Sequence, residues 1–301
     1  MPHWLNKLAT TPGENPRAMT SIRDALTHAA TTLATRHEAA MLEGEILLAH
    51  ALAKSRTYLH TWPERTLNET ELATFNQLVE RRCDGEPSAY ITGEQEFWSL
   101  SLEVTPDTLI PRPETELLVE LALEKIPTDE HYNIADLGTG SGAIALAIAS
   151  ERPRSQMYAV DFSAEALAVA ERNRDKHSLN NITLLHGDWL TPLSELTFDL
   201  IISNPPYIRE NDSHLEQGDL PFEPRSALVA TNNGLDDIQR IVSDSKARLT
   251  NGGWLLIEHG YDQATDVSEI FKQHGYHNIT THRDLGGQPR VVAAQYNSKT
   301  Q

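Results

Sequence analysis

Apolar residues recur at two different spacings along the chain, and the change of spacing divides it into two kinds of structure. Between residues 21 and 85 they repeat every three or four positions, which predicts amphipathic helices. The repeat is clearest at Ile22, Ala25, Leu26, Ala29 and Leu33. Asn68 followed by Glu71 is the capping pattern of a further helix that we expect to reach Glu80. The first part of the chain is therefore predicted to be a small all-helical domain.

Short apolar segments alternate with helix-forming segments in the rest of the chain. The segments that predict strands are residues 133–137, 156–160, 182–185, 198–202 and 254–258. Strands that alternate with helices in this way form a mostly parallel sheet. Before the strand at 254–258 we expect a helix over residues 235–249 and a turn at residues 251–253. Residues 277–282 predict a further strand, and residues 290–295 form the last apolar segment.

The predicted strand at residues 198–202 is followed by Asn204-Pro205-Pro206-Tyr207. Each proline holds φ near about −65° and lacks an N–H, and the residue before a proline is pushed to extended geometry. The segment therefore presents the Asn204 amide, the bare Pro205 carbonyl and the Tyr207 ring on a stiff loop. Two acceptors and a ring suit a planar substrate that carries an NH2 group. The alternative interpretation is a proline-rich turn after a strand.

A second motif predicts a nucleoside site. The strand at 133–137 runs into a glycine-rich turn before a predicted helix at 143–150, and glycines let a ligand approach the backbone closely. Asp161 ends the next strand about 20 residues later, where a carboxylate accepts hydrogen bonds from both ribose hydroxyls. We expect the cofactor to be bound by Gly138, Thr139, Gly140, Ser141, Gly142, Asp161, Trp189 and Asn204.

The charge near these glycines bears on which cofactor it is. Asp136 precedes the glycines, and its carboxylate would repel a pyrophosphate but could face the cationic methionine portion of S-adenosyl-L-methionine. Trp189 offers a flat face for adenine, and Asp188 offers an acceptor for the adenine amino group. The alternative for Trp189 is core packing, because large aromatic side chains are usually buried.

The motifs together resemble those of class I S-adenosylmethionine-dependent methyltransferases, and more narrowly the protein glutamine N5-methyltransferases that act on peptide-chain release factors. The similarity extends over about residues 19–295. The matching motifs are Arg82-x-x-Gly85-Glu86-Pro87-x-Ala89-Tyr90-Ile91, Glu96-Phe97-Trp98, Leu109-Ile110-Pro111-Arg112-Pro113-Glu114-Thr115-Glu116, the segment from Asp136 to Gly142, Asn204-Pro205-Pro206-Tyr207-Ile208 and Glu258-His259-Gly260. The uninterrupted motif at residues 109–116 favours the release-factor branch over the relatives that methylate a ribosomal-protein glutamine.

The resemblance implies an α/β fold: a seven-stranded, mostly parallel, Rossmann-like methyltransferase sheet with a small all-helical N-terminal domain. It also implies that residues 277–282 and 290–295 form the antiparallel hairpin that closes such a sheet. It implies methyl transfer from S-adenosyl-L-methionine to the glutamine of the release factor's Gly-Gly-Gln loop, with S-adenosyl-L-homocysteine as product. Asn204, Pro205 and Tyr207 would be catalytic, and these three with Pro206 would bind the substrate. Residues 214–225 would face the substrate. We expect a monomer with release factors as partners.

The predicted domain organisation has four parts. Residues 1–18 are expected to be a flexible extension, and residues 19–88 the helical substrate-recognition domain. Residues 89–113 are expected to form a connector with a β-hairpin, and residues 114–301 the methyltransferase domain.

Composition narrows the class of protein. A formal net charge of −18 argues against a chain that grips phosphate backbones, although a nucleic-acid adenine N6-methyltransferase, which shares the Asn-Pro-Pro-Tyr motif, stays open as an alternative. A non-catalytic cofactor-binding protein is a third possibility. The single cysteine, Cys83, fits a reducing cytoplasm. Neither a membrane-spanning apolar run nor a signal peptide is evident, and the 13 histidines lack metal-site spacing, so we expect no membrane partner and no metal.

Overall fold

The structure, a computed structural model, describes residues 20–34 and 39–297. The described residues form two compact units, one ending at Thr92 and the other beginning at Gly93. The boundary predicted after residue 88 falls within the short helix Ser88–Thr92, which belongs to the first unit. The extension predicted at residues 1–18 lies outside the described residues.

The first unit is helical throughout its regular elements. The helices are α1 (Ile22–Leu33), α2 (Ala40–Leu52), α3 (Arg56–Thr61), α4 (Glu69–Cys83) and α5 (Ser88–Thr92). Asn68 and Glu71 form the expected capping box, in which each side chain accepts a hydrogen bond from the other residue's backbone N–H at the start of α4. The apolar repeat of α1 packs on Leu47, Leu48 and Phe75, so the helical prediction for this region is confirmed.

The second unit opens with the predicted hairpin. Strands β1 (Glu94–Phe97) and β2 (Leu100–Glu103) pair antiparallel through a tight turn in which Trp98 and Ser99 both have positive φ. Pro113 then starts a 3-10 turn, Pro113–Thr115, that leads into helix α6 (Glu116–Lys125). Proline suits this place because the first N–H groups of a helix have no intrahelical partner.

Seven strands of the described residues form one sheet in the spatial order β10-β11-β9-β6-β3-β4-β5. They are β3 (Asn133–Leu137), β4 (Gln156–Asp161), β5 (Ile182–His186), β6 (Phe198–Ser203), β9 (Leu249–Glu258), β10 (His277–Arg283) and β11 (Pro289–Gln295). All neighbouring pairs are parallel except those made by β11. The predicted methyltransferase-type sheet with a closing hairpin is confirmed.

Helices cover both faces of this sheet, which is why its central strands β3 and β6 are buried on both sides. The remaining elements are α7 (Ala143–Glu151), α8 (Ala164–Lys176), β7 (Ile208–Arg209), α9 (Arg225–Leu228), β8 (Val229–Ala230), the helical turn α10 (Thr231–Gly234), α11 (Asp236–Ser245) and α12 (Ala264–Gln273). Ile134 belongs to the core under α7, whereas its neighbour Ala135 belongs to the core under α11 and α12. In the described residues, no helix is long and apolar enough to span a membrane.

One predicted boundary is wrong. The helix expected over residues 235–249 ends at Ser245, and strand β9 already begins at Leu249. The turn expected at residues 251–253 is instead an irregularity inside that strand: Phe198 pairs with Leu249, but Leu200 pairs with Trp254. The extra residues are accommodated because Gly252 has a φ of 86°.

Candidate active site

A cavity of about 500 Å³ lies at the edge of the sheet where β3, β4, β5 and β6 end. Ligands of open α/β folds bind in this position, outside the carboxyl ends of the strands. The predicted site residues that line the cavity are Gly138, Gly140, Asp161, Trp189, Asn204 and Pro206. Residues distant in sequence are thus brought to one place by the parallel topology.

The glycine-rich loop after β3 is held by hydrogen bonds that its backbone N–H groups donate. The N–H groups of Gly138 and Thr139 both donate to the Val160 carbonyl, at 2.9 and 3.0 Å, and the Gly142 N–H donates to the Thr139 carbonyl at 2.8 Å. The Gly140 N–H donates to Asp161 at 2.8 Å. Because these N–H groups are engaged within the protein, the loop is poorly equipped to cradle a pyrophosphate.

The remaining loop residues build the loop without lining the cavity. Asp136 is fully buried and accepts a hydrogen bond from the Thr139 hydroxyl at 2.6 Å, and its burial raises the pKa of this carboxyl to about 7. The Ser141 carbonyl accepts a hydrogen bond from Asn173 at 2.9 Å. Gly142, with a φ of 87°, precedes α7, and a Cβ there would overlap the Leu146 side chain. Thr139, Ser141 and Gly142 therefore shape the loop that Gly138 and Gly140 present.

The Asp161 carboxylate is fixed at the cavity by two backbone N–H groups. Ser163 donates to Oδ1 at 2.9 Å, and Gly140 donates to Oδ2 at 2.8 Å. Burial raises the pKa of Asp161, and the two N–H donors oppose that shift. A carboxylate oxygen has more than one lone pair, so each oxygen retains acceptor capacity for a ligand hydroxyl. This geometry suits a ribose diol.

Two aromatic side chains line the cavity together with Asp161. Trp189 has a φ of 48°, and its ring lies against Gly138, where a Cβ would approach the ring to 3.2 Å. Phe162 is 76% exposed and lines the same cavity. Asp188, considered above as an acceptor for adenine, is paired with the Arg240 guanidinium through contacts of 3.0 and 2.6 Å.

Asn204 directly follows strand β6, and one hydrogen bond holds its side-chain amide. Its Nδ2 donates to the Thr115 hydroxyl at 3.3 Å. In the described part of the chain no residue donates to Asn204 Oδ1. Ser203, the preceding residue, fixes the strand end by donating its hydroxyl to the Leu137 carbonyl at 2.7 Å. Asn204 therefore presents an unused amide oxygen beside the cavity.

Tyr207 lies on a second cavity of about 570 Å³, which shares no lining residue with the first. The Tyr207 hydroxyl donates to Glu258 Oε1 at 3.3 Å. Glu258 is only 1% exposed, and burial raises the pKa of its carboxyl to about 7. Burial likewise raises the pKa of the Tyr207 phenol. Arg112 and Arg290 also line this second cavity.

The segment at residues 214–225 borders the second cavity. His214 and residues 217–220 contribute to its lining. The buried Glu223 carboxylate anchors the segment, because it pairs with Arg112 and accepts a hydrogen bond from the Ile110 N–H at 3.2 Å. The predicted substrate-facing role of this segment stays a prediction.

Two family models match the chain. One, described as the PrmC N-terminal domain, covers residues 24–93, and the other, described as the methyltransferase small domain, covers residues 114–219. A Release factor glutamine methyltransferase from Vibrio cholerae is 51% identical over 259 residues, which are 86% of this chain and 90% of the relative. The chain belongs to the release factor glutamine methyltransferase family. The resemblance drawn from the motifs is thereby confirmed.

Other relatives agree with this membership. The Release factor glutamine methyltransferase of Coxiella burnetii is 48% identical over 277 residues, which are 92% of this chain and 99% of the relative. A methyltransferase of known structure from Pyrococcus furiosus superposes with a TM-score of 0.51 at 17% identity, over 66% of this chain and 90% of that one. At such low identity this second likeness concerns the fold alone.

The sequence interpretation missed several parts of the site, among them Phe162, which lines the first cavity. Thr115, which bonds Asn204, lay within the quoted motif at residues 109–116 but carried no chemical signal of its own. Arg240 and Asp237 line the first cavity from helix α11, and only the tertiary fold brings that helix to the sheet edge. In the described residues, no cluster of histidine, cysteine or carboxylate side chains is arranged to hold a metal ion.

Proposed function

We propose that this protein transfers a methyl group from S-adenosyl-L-methionine to the side-chain amide nitrogen of the glutamine in the Gly-Gly-Gln loop of class-1 release factors. The observation that carries the proposal is the single cavity that Asp161 and Asn204 both line, with no donor to Asn204 Oδ1 in the described residues. Methyl transfer to an amide requires one cavity that contains both a group that binds the nucleoside of the cofactor and a group that accepts a hydrogen bond from the substrate amide. Family membership at 51% identity agrees with this chemistry.

The cavity fits the proposed cofactor. Its volume of about 500 Å³ lies within the usual range for small-molecule sites. Asp161 would accept hydrogen bonds from the ribose hydroxyls, and Trp189 and Phe162 would flank the base. Gly138 and Gly140 leave room for close approach, and few loop N–H groups remain for phosphates. The bound cofactor supplies an electrophilic methyl group on a sulfonium.

The protein's part in the reaction is alignment. An amide nitrogen is a weak nucleophile because its lone pair is delocalised into the carbonyl. Asn204 Oδ1 and the Pro205 carbonyl would accept the two N–H bonds of the substrate amide, which orients the nitrogen and favours the positive charge that develops on it. Alignment of this kind lowers the activation free energy by up to about 7–11 kcal/mol in the best intramolecular cases. One preorganised polar group stabilises a transition state by about 3–4 kcal/mol in favourable sites.

Tyr207 and Pro206 complete the proposed substrate site. The Tyr207 hydroxyl is already bound to Glu258, so its ring rather than its hydroxyl is available to pack against the substrate amide. Pro206 lines the first cavity next to Asn204. We include in the proposal that the chain acts as a monomer in the cytoplasm, with release factors and not nucleic acids as partners.

Mass spectrometry of a methyl-transfer reaction tests the proposal. The protein and S-adenosyl-L-methionine are incubated with a release factor, with a Gln→Ala version of that factor, and with an adenine-containing DNA duplex. We expect one added methyl on the factor, mapped to the Gly-Gly-Gln glutamine and absent from both controls. Methylated DNA with an unmodified factor would instead support an adenine methyltransferase.

A further inference from the structure

The Asn204 side chain can serve as an acceptor only if its amide points the right way. The oxygen and the NH2 group of an asparagine differ little in shape, and a rotation of 180° exchanges them. With the NH2 group toward the substrate, two donors would face each other and the substrate amide would be repelled. The active orientation therefore needs a neighbour that accepts from Nδ2.

Thr115 is that neighbour. Its hydroxyl oxygen lies 3.3 Å from Asn204 Nδ2, and Thr115 is itself 4% exposed. The Thr115 side of the contact is buried, whereas Asn204 borders the cavity. Thr115 lies in the 3-10 turn Pro113–Thr115 that precedes α6, so the turn places the hydroxyl at the end of β6.

A hydroxyl group can donate or accept a hydrogen bond, so a neighbouring group must determine whether the Thr115 hydroxyl accepts from Asn204. Burial raises the pKa of the Glu258 carboxyl to about 7, and the Thr115 hydroxyl is the largest influence that lowers it. Glu258 is 1% exposed, its Oε1 accepts a hydrogen bond from the Tyr207 hydroxyl, and its Oε2 has no hydrogen-bond partner in the described residues. In its ionised form the carboxylate can only accept, so it favours the orientation in which the Thr115 proton faces Glu258 and the hydroxyl lone pairs remain for Asn204.

We infer that Thr115, supported by Glu258, is a positioning residue that fixes the orientation of the Asn204 amide for the transfer reaction. The inference rests on the proposed function, because it assigns a task to Asn204 in that reaction. Neither residue needs to contact the substrate or the cofactor for this role.

Four side chains at position 115 separate this role from packing. Thr and Ser carry a hydroxyl, whereas Val and Ala do not; Thr and Val share the second methyl-sized branch, whereas Ser and Ala are smaller. We compare wild type with Thr115→Ser, Thr115→Val and Thr115→Ala for kcat, for KM of the release factor, and for cofactor affinity by calorimetry. Because Thr115→Ala only removes atoms, it serves if Thr115→Val is too strained to fold.

The inference predicts that activity follows the hydroxyl. Thr115→Ser should keep kcat within about 3-fold, and both hydroxyl-free variants should lose about 10- to 100-fold, a range typical of a misplaced reacting group. Cofactor affinity should stay within about 2-fold in all four. Activity that follows size, with Ser resembling Ala, would overturn the inference, as would hydroxyl-free variants as active as wild type.

A measurement without substrate separates this inference from the proposed function. In protein labelled with 15N-asparagine, the Asn204 side-chain NH2 signal is identified by its loss in Asn204→Asp. Its hydrogen exchange should be slow in Thr and Ser proteins and at least about 10-fold faster in Val and Ala proteins. Equal exchange in all four would overturn the inference, whereas an inactive wild type would contradict the proposed function alone.

Discussion

Replacing Asp161 by asparagine is expected to weaken cofactor binding and to loosen the glycine-rich loop. In the wild type, Oδ1 accepts from Ser163 at 2.9 Å and Oδ2 accepts from Gly140 at 2.8 Å. A carboxamide has one oxygen, so its NH2 group must face one of these two N–H donors. The variant therefore has a mispaired donor in the free protein and one acceptor fewer for the ribose.

The two effects have separate magnitudes. A buried donor left unpaired costs about 1–3 kcal/mol of unfolding free energy, and about 2–4 °C of melting temperature is lost per kcal/mol in a unit of this size. Losing one hydrogen bond from a ribose hydroxyl to a charged acceptor costs about 1.5–3 kcal/mol of binding free energy. That range corresponds to about 10- to 150-fold weaker binding of S-adenosyl-L-methionine.

Isothermal titration calorimetry and thermal unfolding measure the two effects in the same samples. Asp175→Asn is a suitable control, because the Asp175 side chain is 65% exposed and, among the described residues, pairs with Arg174 alone. The control should match wild type in both assays. An Asp161→Asn protein that binds the cofactor within about 2-fold of wild type would refute the assignment of Asp161 to the ribose.

Three further predictions address other parts of the molecule. Asn204→Ala should lower turnover about 100- to 1,000-fold in single-turnover assays, with calorimetric cofactor affinity within about 2-fold, because the lost group acts on the substrate amide. Gly140→Ala and Gly275→Ala should each lower the unfolding free energy by about 1–2 kcal/mol in urea, because both positions have positive φ and open space around a Cβ. Only Gly140→Ala should weaken cofactor binding in calorimetry, because Gly140 lines the first cavity. The Glu258→Gln protein should become more stable relative to wild type as the pH rises from 4.5 to 8. The difference in their unfolding free energies should change by up to about 3 kcal/mol over this range, measured by urea unfolding at each pH.

The sign of the Glu258 prediction follows from burial. The pKa of its carboxyl is raised to about 7, so the folded protein holds this proton more tightly than the unfolded chain does. The resulting stabilisation is complete below the ordinary pKa of a glutamate and is lost as the pH rises through about 7. Arg290, Thr115 and Tyr207 favour the ionised carboxylate, and Glu114 opposes it, so burial outweighs three favourable neighbours.

Different outcomes would contradict these predictions. An Asn204→Ala protein with most of its activity would remove Asn204 from the proposed mechanism. Equal cofactor affinity in Gly140→Ala and Gly275→Ala would show that the Gly140 position faces no ligand. A stability difference between Glu258→Gln and wild type that does not change with pH would mean that Glu258 titrates at its ordinary pKa.

The alternation of strands and helices, and the place of the cavity at the strand ends, followed from local signals in the sequence. Strands β3 and β6 are followed by residues that favour a turn, Gly138 and Asn204-Pro205, and parallel topology brings those strand ends together. The irregular part of β9 was missed for the opposite reason. Asn251 and the two glycines after it are local turn formers, but Leu249 and Trp254 on either side pair with β6, and the Gly252 N–H donates to the Tyr296 carbonyl at 2.8 Å, so the segment stays in the strand.

The contacts around Asn204 could not be predicted from the sequence. Thr115 precedes it by 89 residues, and the position of the Thr115 hydroxyl depends on a 3-10 turn rather than on a repeating pattern. The pairing of Asp188 with Arg240 likewise joins a loop to a helix 52 residues later. Side-chain partners of this kind are set by tertiary packing, on which apolar periodicity carries no information.

The most direct test of the proposed reaction observes the acceptor nitrogen itself. A release factor labelled with 15N in its glutamine side chains is treated with this protein and S-adenosyl-L-methionine, and the side-chain amide signals are followed by NMR. The proposal predicts that the paired NH2 signals of the Gly-Gly-Gln glutamine are replaced by a single N–H signal coupled to a new methyl group. Persistence of the NH2 pair after the cofactor has been consumed would contradict it.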